Sequence, residues 1–418
     1  MDKFIIEGGA PLKGEVEISG AKNAVLPIMA ATIIVPGKYR LKNVPRLRDT
    51  LTMKKLLEMV GANVFYDNNI MDIDTSSCDT PIAPYDLVKT MRASFYVLGP
   101  FLSRFNYAEV SLPGGCAWGP RPVNYHLQAI EALGAEVDLS DGMIIAKGEL
   151  KGALINFQQS SVGATGNALM AAVNANGVTT IKNAAKEPEI EALCHFLLKM
   201  GADIKGIGTD EIIIVGQKTL NADIEYSVIP DRIEAGTFLI AGACTYGDIS
   251  VTNVNPNHLD IVLNYLAEAG FNLDVQNDSI RIYPSQNYIN PVDMITGIYP
   301  GFPTDLQAQW MALMTLANGN SKITEEIYTD RFTHIAELTR FGAQVTLLGN
   351  IAKILGTNKL TGAPVMSTDI RASASLIIAA LSAEGKSSIS RIYHIDRGYE
   401  NIEDKFNILG AQIERIKE

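Results

Sequence analysis

A short signature returns six times along the chain: LLEMVGANV around Gly61, AIEALGAEV around Gly134, LLKMGADI around Gly201, YLAEAGFNL around Gly270, LTRFGAQV around Gly342 and FNILGAQI around Gly410. Successive glycines are 73, 67, 69, 72 and 68 residues apart. Each copy is an apolar helical stripe stopped by a residue able to take the left-handed conformation, then a short alternating run that reads as a strand. A repeat of this length constrains the fold more than any composition does.

Half a repeat before each signature lies a second, more apolar helix. These helices run from Lys22, Arg92, Gly163, Arg232, Asp305 and Arg371. They are apolar nearly all round, so they belong in the interior rather than on a surface. After most of them comes a glycine-containing turn and a β-rich run, as in VPGKYRLKNV, NGVTTIKNA, YGDISVTNV and EGKSSISRI. Each repeat therefore reads strand, buried helix, strand, amphipathic helix, strand, which is an α/β pattern. Three repeats in residues 22–229 predict one domain, which carries the Cys116 loop, and three in 230–418, joined by residues 1–21, predict a second, similar one. The opening segment FIIEGGAPLKGEVEISG precedes the first buried helix and is free to return as a strand completing the second domain, with chain crossings near Gly20 and Ile229. The alternative is a single solenoid of six stacked units.

Charge narrows the functions. Lys+Arg total 35 against Asp+Glu 46, a formal −11, which excludes a basic nucleic-acid binder. The N-terminal MDKFIIEGG is too short in apolar residues for a signal peptide, and the most apolar stretch, from Ala24 to Val35, is interrupted and shorter than the ~20 residues of a membrane span. A cytoplasmic location is the expectation. Cys78, Cys116, Cys194 and Cys244 show no CxxC spacing and the histidines form no HExxH, so neither a metal site nor a disulfide framework is expected.

Polar residues gather where the buried helices begin: Lys22, Arg92, Arg232, Asp305 and Arg371, with Ser161 before the third helix. Helix N-termini carry unpaired N–H groups and partial positive charge. Cations in first turns gain nothing from that field, so an anionic ligand is needed to offset them, unless they are merely solvated helix starts. Arg331 in TDRFTH and Arg397 in HIDRGYE lie in turns before amphipathic helices and extend the set; arginine suits bidentate carboxylate or phosphate contacts. GxxxxGK[ST] and a GxGxxG after a strand are both missing, which argues against nucleotide hydrolysis and dinucleotide redox chemistry. The segment PGGCAWGPRP, residues 113–122, must be a shaped loop, and a thiol there beside Arg121 is a candidate reactive cysteine. Cys78, Cys194 and Cys244 read as spare thiols. His126 is either a ligand contact or a histidine satisfied at a helix start. For Asp305 and Asp369 capping is the default role, with general base as the alternative.

Together these motifs resemble the UDP-N-acetylglucosamine 1-carboxyvinyltransferase family: SGAKNA from Ser19, PGGC from Pro113, SVGAT from Ser161, PDRIEAGT from Pro230, GFPTD from Gly301 and HIDRGY from His394. The likeness runs from end to end. It implies an inside-out α/β barrel of two domains, each of three βαβαββ units, with the active site in the cleft between them. It further implies transfer of the enolpyruvyl group of phosphoenolpyruvate to the 3-hydroxyl of UDP-N-acetylglucosamine, releasing phosphate, as the first committed step of peptidoglycan synthesis. By matching motifs, Cys116 protonates C3 and can form a covalent adduct, and Asp305 takes the hydroxyl proton. Lys22, Asn23, Arg121, Arg331, Arg371 and Arg397 hold phosphoenolpyruvate, with Asp369 assisting. The UDP-sugar meets Asn23, Arg92, Arg121, Pro122, Val123, Asn124, Tyr125, Ser161, Val162, Gly163, Asp305 and Ile327. No cofactor or metal is implied, the Cys116 loop is the natural lid, and fosfomycin is expected to alkylate Cys116.

Asn124, Gln159, Trp118 and Thr329-Asp330 depart from the family's commoner residues, on the nucleotide side or at the rim. The sister activity, 5-enolpyruvylshikimate 3-phosphate synthesis, is disfavoured by the cysteine in PGGC. A silent sugar-nucleotide-binding paralogue is disfavoured by the intact Lys22, Cys116, Asp305 and Arg397.

Overall fold

A computed structural model describes residues 2–112, 123–217 and 219–417. Contacts divide the chain into two compact units. One contains residues 2–19 and 230–417, the other the described residues between 20 and 229. The described strands form six four-stranded sheets, three in each unit, all with one plan: a parallel pair followed by two antiparallel neighbours.

In the unit of residues 20–229, the last strand, Ile224–Ser227, returns to lie parallel to the first, Lys38–Lys42. That closure excludes an open solenoid, in which the first and last repeats would never meet. The other unit closes through the N-terminal segment, which supplies two strands rather than the single one expected. Lys13–Glu17 pairs in parallel with Asp248–Thr252. Asp2–Gly8 lies antiparallel between Gly385–Ser390 and Gln412–Lys417. In the five other sheets that position belongs to a hairpin strand of the same repeat.

The signature glycines behave as their positions require. Gly61, Gly134, Gly201, Gly270, Gly342 and Gly410 all have φ between 87° and 101°, the left-handed region that ends a helix cheaply only for glycine. A second punctuation was within reach of the KNV, KNA and TNV triplets. Asn43, Asn183 and Asn253 are left-handed at φ 52–55°. Each amide donates to a carbonyl on the neighbouring segment: Asn43 to Val228 at 2.9 Å, Asn183 to Phe157 at 3.1 Å and Asn253 to Ile18 at 2.7 Å. Asparagine tolerates this conformation and its short amide bonds locally, so one residue both turns the chain and ties the parallel strand.

Each unit has its own core. Strands bury alternate residues, such as Phe4 and Ile6 or Ile280 and Ile282, against the apolar helices. In the unit of residues 2–19 and 230–417, helices Arg232–Cys244, Gln307–Met314 and Ile370–Ser382 pack on one another. In the other, Lys22–Ala31, Leu98–Phe105 and Val162–Ala172 fill the centre. Two helix starts differ from expectation. Arg92–Val97 and Thr304–Leu306 are 3₁₀ turns, and the α-helices begin only at Leu98 and Gln307. Pro100 and Pro303 fall where a missing N–H is harmless, in a first turn and just before one.

The N-terminal segment is held at its end by charge. The Ser19 N–H donates to Glu234 at 2.8 Å, and the Lys405 ammonium donates at 2.7 Å to both Glu234 and the Ser19 hydroxyl. Burial pushes the Glu234 carboxyl up, and Lys405 draws it back down. Ala21 donates to Ile229 at 2.7 Å in one unit, and Asp231 to Ser19 at 2.9 Å in the other.

Replacing Asn43 by Ala removes its bond to Val228 and leaves a side chain disfavoured at φ 55°. Urea titration should show a loss of about 1–2 kcal/mol, and Asn43→Gly, which relieves φ but not the missing bond, a smaller one.

Candidate active site

Asp305 does not cap a helix. It sits in the Thr304–Leu306 turn, and both carboxylate oxygens are taken by guanidinium groups: Arg331 Nη1 reaches Oδ1 at 2.8 Å and Arg371 Nη2 reaches Oδ2 at 2.7 Å. The arginine side chains are 7% and 3% exposed and Asp305 26%, so the carboxylate is the member open to solvent. Burial alone would depress Arg371, but the Asp305 carboxylate, together with Tyr399 and Asp231, outweighs it and holds the guanidinium charged. Arg371 Nη1 is buried without a hydrogen-bond partner among the described residues. A donor left in that state points to an anionic group that arrives from outside.

Glu325, which sequence reasoning missed, anchors this cluster from below. It is fully buried and accepts from Thr296 (2.8 Å), Thr304 (2.9 Å) and the backbone N–H groups of Ile327 and Tyr328 (2.8 and 2.9 Å). Thr304 in turn accepts from Arg331 at 3.0 Å. Ile327 is thus held through its backbone by Glu325. One signal was available in ITEEI: a carboxylate directly after a strand, ahead of a turn full of unpaired N–H groups.

Asp369 caps helix Ile370–Ser382 as the default reading had it, with Oδ1 accepting from Arg371 N at 2.8 Å and Ala372 N at 3.0 Å. Its Oδ2 accepts from Thr368 at 3.3 Å and Thr333 at 3.4 Å. Arg397 ends the 3₁₀ turn Ile392–Arg397 and is partly buried.

Apart from Asp305 and Ile327, the described residues expected to meet the UDP-sugar belong to the other unit, as does Lys22. Lys22 opens helix Lys22–Ala31 with no side-chain cap before it, and its ammonium lies 3.8 Å from the buried Asp49 carboxylate. Asn23 is partly buried beside it. Ser161 caps helix Val162–Ala172 by accepting from Ala164 N at 3.4 Å. A β-carbon on Gly163 would come within 3.0 Å of the His126 ring, so glycine is needed for that approach. Arg92 acts on His126 electrostatically from the 3₁₀ turn. Val123, Asn124 and Tyr125 start helix Asn124–Ala132, with Asn124 exposed and Tyr125 edge-on to Phe157. Gln159 and Thr329 are exposed. Cys116, Trp118, Arg121 and Pro122 lie outside the described residues, and so does the expected Cys116 lid. Cys78, Cys194 and Cys244 are buried and reduced.

His126 is satisfied internally. Asn167 orients it: the Asn167 carbonyl accepts from Gly99 N (2.8 Å), and its amide donates to Phe95 O (3.1 Å) and to His126 Nδ1 (2.9 Å). Nδ1 is then the acceptor, and the proton of the neutral ring is on Nε2. Among the described residues no group of His, Cys, Asp or Glu could hold a metal, and no helix is long and apolar enough to cross a membrane.

Within the unit of residues 2–19 and 230–417 a solvent-open carboxylate lies between buried cations, which suits taking a proton from a hydroxyl beside an anionic small molecule. The family model for EPSP synthase (3-phosphoshikimate 1-carboxyvinyltransferase) matches residues 6–406. The chain is 52% identical to UDP-N-acetylglucosamine 1-carboxyvinyltransferase of Chlorobium chlorochromatii, covering 100% of this chain and 99% of the relative. It is also 52% identical to the enzyme of that name from Geotalea daltonii, with 100% of both covered. Among solved structures, the enolpyruvyl transferase NikO from Streptomyces tendae superposes with a TM-score of 0.90 at 25% identity over 99% and 98% of the two chains. EPSP synthase from Acinetobacter baumannii shares the fold, with a TM-score of 0.77 at 18% identity over 100% of both chains. The chain belongs to the enolpyruvyl transferases of the EPSP synthase family and, within them, to the UDP-N-acetylglucosamine 1-carboxyvinyltransferases.

Burial pushes His126 down to about 3 and His334 to about 4, so both are neutral when folded. Unfolded histidines bind protons below about pH 6.5, so stability should fall as pH drops from there toward those values, by up to about 1.4 kcal/mol per pH unit for each. Urea titrations at pH 7, 6 and 5 should show a shallower decline in His126→Gln than in the parent.

Proposed function

We infer that this chain transfers the enolpyruvyl group of phosphoenolpyruvate to the 3-hydroxyl of UDP-N-acetylglucosamine and releases phosphate. The observation that carries the reading is full-length identity of about 52% to enzymes of that name. The Asp305 cluster adds a local reason, since the reaction needs a base on the attacking oxygen and cations around an anionic donor.

In this mechanism Asp305 takes the proton of the sugar hydroxyl as its oxygen bonds to C2 of phosphoenolpyruvate, and the Cys116 thiol gives a proton to C3. Loss of a C3 proton then expels phosphate from C2 and restores the double bond. Arg331 and Arg371 hold the base in place, and Arg371 retains a donor for the phosphoenolpyruvate anion. Lys22, Asn23, Arg121 and Arg397 complete the anion contacts, Asp369 assists, and the groups from Arg92 to Gly163 and Ile327 hold the UDP-sugar. The chain's own side chains supply the chemistry without a metal or cofactor. The product is an early precursor of the bacterial cell wall, made in the cytoplasm.

Phosphate release from phosphoenolpyruvate should require UDP-N-acetylglucosamine. It should fall about 10²–10⁴-fold in Asp305→Asn and collapse in Cys116→Ala. Release that requires shikimate 3-phosphate instead would assign the sister activity, and nucleotide binding without release a silent paralogue. Fosfomycin should inactivate the parent, because a thiolate at Cys116 opens its epoxide, and mass spectrometry should find the adduct on the peptide containing Cys116 and none in Cys116→Ala.

A further inference from the structure

Behind the Asp305 and Arg371 pair lies a buried polar cluster that the proposed chemistry does not use. The Arg371 guanidinium sits 5.4 Å from the centre of the Tyr399 ring. The Tyr399 hydroxyl and Thr237 Oγ1 are 2.8 Å apart, and Gln309 Nε2 lies 3.2 Å from the Tyr399 hydroxyl and 3.1 Å from Thr237 Oγ1. The same Gln309 nitrogen donates at 3.0 Å to the backbone carbonyl of Asp305. Thr237, Gln309 and Tyr399 are buried at 2% exposure or less.

Proton directions in the cluster follow from counting donors. The single Thr237 hydroxyl proton goes to the Ile233 carbonyl at 2.7 Å. Thr237 Oγ1 is therefore the acceptor in its contact with Tyr399, and the phenol donates. Gln309 gives one proton to the Asp305 carbonyl, and its second lies between Thr237 Oγ1 and the phenol oxygen, 3.1 and 3.2 Å away. A chain of oriented bonds thus runs from the backbone of Asp305, through Gln309, to the ring that faces the guanidinium bound to the Asp305 carboxylate. Both ends of one ion pair are tied to one network.

We propose that Tyr399, fixed by Thr237 and Gln309, is a positioning residue that holds Arg371 against Asp305. The proposal rests on the reading of Asp305 as the base. The ring face attracts the cation and blocks its withdrawal into the core, while the hydroxyl keeps the ring from rotating away. The guanidinium stands over the ring and also acts on the phenol oxygen, and the ring is the part that a Phe variant keeps.

The test uses Tyr399→Leu, Tyr399→Phe and Thr237→Val in the full chain, with melting temperatures confirming that each is folded. Crystal structures should show the Arg371 to Asp305 contact of 2.7 Å opened in Tyr399→Leu and kept in Tyr399→Phe. In phosphate release, Tyr399→Leu should lose about 10–100-fold in kcat with KM for UDP-N-acetylglucosamine within about twofold. Tyr399→Phe should recover to within about threefold of the parent, and Thr237→Val should fall between the two. An unchanged Arg371 contact in Tyr399→Leu, or a Phe variant as impaired as the Leu variant, would overturn the proposal. If Tyr399→Leu does not fold, the same judgement falls on Tyr399→Met, which fills the site without a ring face for the guanidinium. A parent that releases no phosphate with any acceptor would refute the assigned reaction, and the crystal structures would still decide the positioning role.

Discussion

Two arginines driven almost fully into the protein close on one carboxylate, and much of the unit built from residues 2–19 and 230–417 is arranged so that they can. Burying a guanidinium is expensive unless its partner and its remaining donors are well placed. Arg331 is steadied by Thr304, which is held by the buried Glu325. Arg371 enters the core at the second position of a helix whose N-terminal N–H groups are already occupied by Asp369. Removing Asp305 would leave two buried cations without their counter-charge, so the carboxylate is structural as well as chemical.

That arrangement is possible because the fold delivers helix starts rather than helix middles to its polar regions. A buried helix hides every apolar face but cannot satisfy its own first N–H groups. Asp231, Ser161 and Asp369 each solve this by capping. Lys22 and Asp305 head helices without such caps, and both are paired with an opposite charge, Asp49 in one unit and the two arginines in the other. The repeat thus supplies the same kind of position six times, and individual substitutions make some of those positions chemical and others merely structural.

Much of this was legible along the chain. The glycine after each amphipathic helix and the asparagine after several strands act through their own backbone conformations, which neighbours in sequence decide. The capping role of Asp369 is local in the same sense. Asn167 and the group of Thr237, Gln309 and Tyr399 were not legible, and Glu325 was legible only in its place directly after a strand. Each has partners far along the chain, such as Asn167 with Phe95 72 residues away and Thr237 with Tyr399 162 residues away. The capping default failed for Asp305 because its partners, Arg331 and Arg371, are 26 and 66 residues distant. The extra strand at the N-terminus was missed for a similar reason, since Lys13–Glu17 and Asp2–Gly8 find their neighbours in different sheets.

By itself the sequence determined the period, the class of each element, the places where helices stop, and which side chains could carry the chemistry. These depend on short-range sterics and on apolar patterning, which a single segment contains. Only the tertiary structure decided which charges meet, which buried polar groups are satisfied, and which strand closes each unit. Those outcomes depend on separations of a few ångströms between residues tens to hundreds of positions apart, set when the repeats close into a ring and their helices pack.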